Sequence, residues 1–317
     1  MTHPLLEPSI VAAVERAASA HGGGAAWTSR GFTDLAARAA HPAGIFLGRP
    51  FSVFAKLSSA AAGLDQFRAE LAGLNLITGR AGVRTPIPVA AGVVLVPAGC
   101  LLLTEALTER AGAQRTRADF LSIGRTLGTL HQVRDARFGL DDAGGFFGPL
   151  PVDNRPVDSN RWSAFYAERR LEPMLRLARD SGNLKPGLDN DVARVIARLP
   201  DFAGQDPAPS LLHGDAQQNN FLCVAAGPGA GSAVVIDAAP YFGHPEVDLA
   251  LAGYFSPVPR AVFDGYGEIS PIDAGFADRR ELWRMFAYLA VIAVAGGDSQ
   301  WGTRFTARLA AAVHRYR

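Results

Sequence analysis

Lysine is nearly missing from this chain. Only Lys56 and Lys185 occur among 31 basic residues, so arginine carries almost all of the positive charge. Against that background a lysine marks a place where a compact ammonium is needed and a planar guanidinium does not fit. Lys185 stands beside Pro186 and Gly187 in a loop-like stretch, which leaves Lys56 to explain. Cysteine is scarce as well. Cys100 and Cys223 both lie in apolar, strand-like runs without metal-type spacing, which argues for buried thiols and against a disulfide framework. Net charge is close to absent: a formal charge of +1 gives no field favouring nucleic acid or an anionic membrane surface. Long apolar runs are missing too. The stretch 90–107 is interrupted by Pro97 and Gly99, and 286–295 is too short to span a bilayer. No basic segment precedes an apolar one at the N-terminus, so no signal peptide is expected and a cytoplasmic address follows by default. What is present is 48% apolar content over 317 residues, enough for a globular chain of one or two domains.

Hydrophobic periodicity divides the chain. Residues 8–20 read as an amphipathic helix with Ile10, Val11 and Val14 on one side, ended by Gly22, Gly23 and Gly24. Strands are expected near 32–36, 44–47 and 51–57. In the last of these Phe51, Val53 and Ala55 alternate with Ser52, Phe54 and Lys56, which puts Lys56 on the face opposite Val53. Leu64, Phe67, Leu71 and Leu74 then recur at helical spacing through Ile77. Glu70 borders that stripe, and a half-buried carboxylate should seek a cation, for which Lys56 is the natural partner. Strands follow at 93–96 and 101–103, after which Thr104, Glu105, Ala106 and Leu107 break the apolar run. From Arg117 onward the pattern is mainly helical, at 117–131, 162–171, 192–199, 247–254, 279–294 and 305–313. The Gly-, Pro- and Asp-rich stretch 138–156 reads as a long loop. The expectation is an α+β protein. A small β-rich lobe spans 1–103, a hinge 104–107 and a larger helical lobe 108–317. The hinge backbone, around Glu105 and Leu107, would receive a purine.

The densest chemistry lies at 213–237. His213-Gly214-Asp215 is followed by Asn220, an apolar run at 221–224, a Gly/Pro turn at 225–232, a second apolar run at 233–236, and Asp237. Two such runs around a Gly-rich turn read as a β-hairpin. Asn220 opens one strand and Asp237 closes the other, so an amide oxygen and a carboxylate converge, as a hard cation requires. Asp215 sits on the loop leading in and can face the same point. This is the layout of phosphoryl transfer from ATP: one carboxylate to meet an acceptor hydroxyl, and an amide and a carboxylate to hold magnesium against phosphates. Gly214 occupies the place where regulated protein kinases carry an arginine, and a helix begins soon after Asp237. No room remains for a phosphorylated switch segment, so a constitutive small-molecule kinase is expected.

With these residues in place, the chain resembles the fructosamine/ketosamine-3-kinase family, within the aminoglycoside-phosphotransferase-like kinases. The resemblance runs from about 50 to about 283. It is carried by Phe54-Ala55-Lys56, by 67–74, by Arg137-Phe138-Gly139, and by Trp162 with 168–173. His213-Gly214-Asp215 with Asn220, Ile236-Asp237, and 241–251 complete it. It implies a two-lobed protein-kinase-like fold, use of ATP with Mg2+, and transfer of the γ-phosphoryl group to a sugar hydroxyl of a glycated amine, whose phosphorylated adduct then falls apart. Asp215 would orient the hydroxyl and take its proton. Asn220 and Asp237 would hold magnesium, and Lys56, fixed by Glu70, would contact the phosphates. Trp162, Arg170, His244 and Glu246 are candidate acceptor-pocket residues, each open to a packing role instead. Departures from the family pattern touch that pocket. Ala216-Gln217-Gln218 stands where an aromatic or Leu-Trp pair is usual, 149–154 lacks the usual Pro-Gln, and 289–295 is purely apolar. The triple glycine also lies far upstream of Lys56, with His41-Pro42-Ala43-Gly44 in the nearer turn. A phosphotransferase for another hydroxylated amine is therefore the alternative. A nucleotide-binding pseudokinase ranks below both, because the catalytic set is complete.

Overall fold

The structure, a computed structural model, describes residues 3–141, 144–225, 231–296 and 299–316. Helix α1 (Pro8–His21) begins on a proline, where a missing N–H costs nothing, with Glu7 accepting from the Ser9 N–H. A five-stranded antiparallel sheet follows: β1 (Gly31–Asp34), β2 (Ala43–Leu47), β3 (Val53–Ser58), β4 (Val94–Val96) and β5 (Gly99–Glu105), in the order β1-β2-β3-β5-β4. Helix α2 (Gly63–Ala81) connects β3 to β4. The two-residue period of β3 decides the layering. Val53 and Ala55 join Ile10, Val14, Trp27, Leu101 and Leu103 in a core under α1. The alternate face carries Lys56, in register with Leu102, and Leu102 packs with Cys100 and with Phe67 of α2. Lys56 and α2 thus share one side of the sheet.

Strand β6 (Glu109–Arg110) leads to α3 (Arg117–Gln132), which starts with a capping box between Thr116 and Asp119. The stretch 138–156 is not the uniform loop its composition suggested. It contains a hairpin, β7 (Gly144–Phe147) and β8 (Leu150–Asp153), turned at Gly148 with φ +57°. Phe147 and Val152 are buried there, so tertiary packing overrides the Gly/Pro composition; residues 142–143 lie outside the described residues. Next come α4 (Trp162–Tyr166), a π-helical turn at Ala167–Leu171, α5 (Glu172–Asp180), α6 (Leu188–Ala197) and α7 (Leu199–Phe202).

Strand β9 (Ser210–Leu211) precedes the expected hairpin, β10 (Phe221–Val224) with β11 (Ala233–Val235). Its turn, 226–230, lies outside the described residues. Strand β10 also pairs with β6, giving a three-stranded sheet β11-β10-β6, and β12 (Phe242–Gly243) pairs with β9. Helix α8 (Glu246–Leu251) is shorter than the expected 247–254, because the Tyr254 N–H turns back to the Leu251 carbonyl. Helix α9 (Arg260–Gly267), which the apolar pattern did not announce, packs on α3. Helices α10 (Phe276–Ala295) and α11 (Gln300–Arg315) close the chain. Among the described residues no helix is long and apolar enough to cross a membrane. The architecture is two-lobed and α+β, a β-rich N-terminal region followed by a helical one.

Candidate active site

Strand register builds the first half of the site. Phe221 pairs with Val235, and the Ile236 N–H donates to the Asn220 carbonyl at 3.0 Å. That places Asn220 beside the residues leaving β11. Asp237 follows at φ +52°, the one non-glycine residue at positive φ among those described. Such a conformation costs of order 1–3 kcal/mol and persists only where surroundings impose it. Lys56 supplies that constraint from the other lobe. Its Nζ donates to Glu70 Oε1 at 2.8 Å and Oε2 at 3.1 Å, and also to Asp237 Oδ1. Helix α2 comes close enough because position 73 is glycine. A Cβ there would lie 2.7 Å from Pro240 Cδ and 3.1 Å from the Ala238 carbonyl oxygen.

The second half is the loop carrying Asp215, which is braced from below. Asp248, fully buried at the start of α8, accepts from the His213 N–H at 2.6 Å and the Gly214 N–H at 3.1 Å. His131 of α3 joins Asp248 through Nε2 at 3.1 Å and Tyr266 through Nδ1 at 2.9 Å. Gly214 needs its glycine twice over. It sits at φ +84°, and a Cβ would lie 2.0 Å from the Ala239 carbonyl oxygen. The Asp215 N–H donates to His213 Nδ1 at 3.2 Å. Asn220 Nδ2 donates to the Asp215 carbonyl at 2.9 Å and to Asp215 Oδ2 at 3.1 Å, so only the Asn220 oxygen is left to offer. Arg115 clamps the loop by donating to the Gln218 carbonyl at 2.7 Å and the Phe221 carbonyl at 2.6 Å.

Electrostatics show what this arrangement lacks. Burial pushes the Asp215 carboxyl up to about 7, helped by the nearby Asp237 charge and opposed by Asn220. Burial likewise raises Glu70 to about 7, with Lys56 pulling it down and Asp237 pushing it up. Burial disfavours the Lys56 ammonium, but Asp237 and Glu70 outweigh it and hold the charge. Burial would raise Asp237 too; the Lys56 charge reverses that and leaves it below the carboxylate range. Glu70 and Asp237 share the Lys56 ammonium, and the Asp237 charge further disfavours that of Asp215, so the site has room for further positive charge. Among the described residues no group of three or more His, Cys, Asp or Glu could hold a metal alone. A cation here would take two protein ligands, Asn220 Oδ1 and Asp237, with the rest from phosphate oxygens and water, as magnesium commonly does. Asp215 Oδ1 is buried and has no hydrogen-bond partner among the described residues, which leaves an acceptor ready for an incoming hydroxyl.

The segment expected to act as a hinge, 104–107, begins within β5. Glu105 pairs in register with Val53, and its carboxylate accepts from Arg84 at 3.3 Å and the Ile87 N–H at 3.1 Å. The Glu105 N–H is spent on the Ile87 carbonyl and the Ala106 N–H on the Ser52 carbonyl. No hydrogen bond occupies the Leu107 backbone among the described residues, so a purine could use it.

The four acceptor-pocket candidates are placed differently. Trp162 is wholly buried among Phe138, Phe165, Tyr166 and Trp283. Arg170 is 1% exposed, donates to the Asp153 carbonyl and Asn154 Oδ1, and stacks 4.0 Å over Tyr241. Glu246 is held by Arg279 at 2.6 Å and Trp283 Nε1 at 2.8 Å. His244 accepts from the Glu246 N–H, and burial lowers its imidazole to about 4. All four are buried in the helical core, and none hydrogen-bonds Asp215 among the described residues. Arg115 and His131, which brace the loop, carried no signal in the sequence. Arginine is everywhere in this chain, and His131 only ended a helical stripe.

Similarity to known proteins agrees with this geometry. The fructosamine kinase family model matches residues 14–306. The chain belongs to the fructosamine kinase family. A Synechocystis sp. protein named as a probable ketoamine kinase is 32% identical over 239 residues, covering 74% of this chain and 75% of its own. The ketosamine-3-kinase of Mus musculus is 27% identical over 261 residues, covering 75% and 81%. A solved structure of a Thermobifida fusca protein, itself proposed to be a fructosamine-3-kinase, superposes with a TM-score of 0.77 at 27% identity. It covers 96% of this chain and 99% of that one. This fructosamine kinase family member is thus a phosphotransferase acting on an alcohol group.

Proposed function

We propose that this protein transfers the γ-phosphoryl group of ATP to a sugar hydroxyl of a ketosamine. The observation that carries the reading is the cluster in which a buried Lys56 meets Glu70 and Asp237, together with the one unpaired oxygen of Asp215. ATP with magnesium supplies the phosphoryl group and offsets the charge that develops on it. Asn220 Oδ1 and Asp237 hold the cation. Lys56 contacts the phosphates while Glu70 fixes its side chain. Asp215 Oδ1 accepts a hydrogen bond from the acceptor hydroxyl and takes its proton as the oxygen attacks. Asp248 and Arg115 keep the Asp215 loop in place, so orientation is set before the substrate arrives. Residues 1–103 bind the nucleotide from one side, 108–317 carry the acceptor, and the Leu107 backbone receives the purine.

An acceptor panel tests the substrate class. Fructosyl-lysine, glucosamine and an aminoglycoside are compared by ADP release at equal concentration. The reading expects fructosyl-lysine to give the highest kcat/KM. A higher value for the aminoglycoside or glucosamine would replace the ketosamine by another hydroxylated amine.

A further inference from the structure

The residues first expected to receive the acceptor are buried in the helical core, which leaves the question of what does. The loop after α8 offers an answer. Gln218, three residues beyond Asp215, donates through Nε2 to Ser256 Oγ at 2.9 Å, tying the catalytic loop to 254–256. Tyr254 lies on that loop, is 2% exposed, and no partner engages its hydroxyl among the described residues. Burial raises the Tyr254 phenol well above its ordinary value, and the Asp215 charge adds to the shift. Phe255 packs on Tyr254 with ring centroids 4.1 Å apart. Trp301, in the first turn of α11, meets Phe255 edge-on at 5.5 Å and stacks on Phe305 at 5.9 Å.

These rings are anchored rather than merely adjacent. Arg304 donates to the Phe255 carbonyl at 2.7 Å and lies over the Trp301 ring at 5.5 Å. Arg308 donates to the Tyr254 carbonyl and lies over Phe305 at 5.2 Å. Yet Trp301 is 47% exposed, whereas Trp27, Trp162 and Trp283 are 3%, 0% and 0% exposed. A large aromatic packed by Phe255, Phe305 and Arg304, next to a segment that Ser256 ties to Gln218 of the catalytic loop, yet left open, is a surface awaiting an apolar face. A sugar ring presents such a face through its C–H groups.

We propose that Trp301 and the Tyr254 hydroxyl form the acceptor-recognition wall of this enzyme, Trp301 stacking on the glycated amine and Tyr254 hydrogen-bonding its sugar. The proposal rests on the ketosamine reading given above. It assigns acceptor selection to the start of α11 and the loop after α8.

Kinetics and fluorescence test it together. Trp301→Ala should raise the KM for fructosyl-lysine about three- to tenfold, the worth of one aromatic contact. The KM for ATP and kcat should change by no more than about twofold, as loss of uniform acceptor binding requires. Trp301→Phe should recover part of the loss. Tyr254→Phe, which keeps the ring, should also raise the acceptor KM and leave the ATP KM alone. Iodide quenching gives a readout independent of turnover, because only Trp301 of the four tryptophans is open to the ion. Fructosyl-lysine added without nucleotide should protect the emission. Wild-type turnover combined with an unchanged acceptor KM in Trp301→Ala, or with unprotected emission, overturns the wall and spares the ketosamine reading. Absence of wild-type turnover of fructosyl-lysine overturns that reading, and the wall with it.

Discussion

At the scale of single residues, the site trades stability for chemistry. Asp215 is kept in a setting that disfavours its charge, with one oxygen unpaired. Asp215→Asn should lower kcat by about 10^2–10^4, the usual worth of a positioned general base. The same change should stabilise the metal-free protein. A carboxyl whose folded value is raised to about 7 binds protons more tightly folded than unfolded, so its cost is complete above pH 7. The cost shrinks as pH falls toward the unfolded carboxyl value near ~4 and is gone below it. Asp215→Asn should therefore unfold at higher urea at pH 8 by roughly 1–3 kcal/mol, and the gap should close by about pH 4. Equal midpoints at pH 8 would contradict the buried, unpaired placement. Lys56 offers a second check. Its Nζ lies between two carboxylates in a pocket where it is 7% exposed. Lys56→Arg keeps the charge but not the shape, so steady-state kinetics should show kcat/KM for ATP reduced by at least about tenfold.

Elements explain why residues so far apart meet. Helix α2 belongs to both lobes: Phe67 packs against the sheet through Cys100 and Leu102, while Leu74 and Ile77 pack into the helical core. Its middle glycine lets it lie on the chain just past Asp237. Gly73→Val places side-chain atoms where Pro240 already stands. It should cost about 1–3 kcal/mol and, by moving Glu70 off Lys56, raise the KM for ATP. A thermal midpoint and ATP KM both unchanged would mean the close approach does not matter. Helix α8 plays the matching part for the catalytic loop. Asp248→Ala would orphan the N–H groups of His213 and Gly214, and should destabilise the protein by about 2–4 kcal/mol in urea titrations. Much of this was readable in the sequence, and the reason is periodicity. The alternation around Lys56 and the helical stripe around Glu70 fix which faces meet, and the paired runs at 221–224 and 233–236 fix a register. Elements whose residues contradict their state were not readable. Strands β7 and β8 hide in a Gly- and Pro-rich stretch, and α9 follows a Pro-rich segment with no clean stripe. Nor does a lone charge such as Glu246 reveal that a distant arginine will claim it; only packing shows that.

For the molecule as a whole, the active site is a seam. Lys56 comes from a sheet and Asp237 from a hairpin 181 residues later, and the two touch. The meeting of Lys56, Glu70 and Asp237 was legible because strand alternation, a helical stripe and paired apolar runs converge on it. The burial of Trp162, Arg170, His244 and Glu246 was not, since it follows from long-range packing that spacing alone does not reveal. The central claim is that Asp215 delivers an acceptor hydroxyl to ATP at this seam. Its most direct test is a mass spectrum of fructosyl-lysine after incubation with the protein and magnesium-ATP, beside an Asp215→Asn control. The account predicts a phosphorylated adduct and matching ADP with the wild type, both lost in the control. Phosphorylated adduct at equal yield from Asp215→Asn, or none from a wild type that still binds magnesium-ATP, would contradict it.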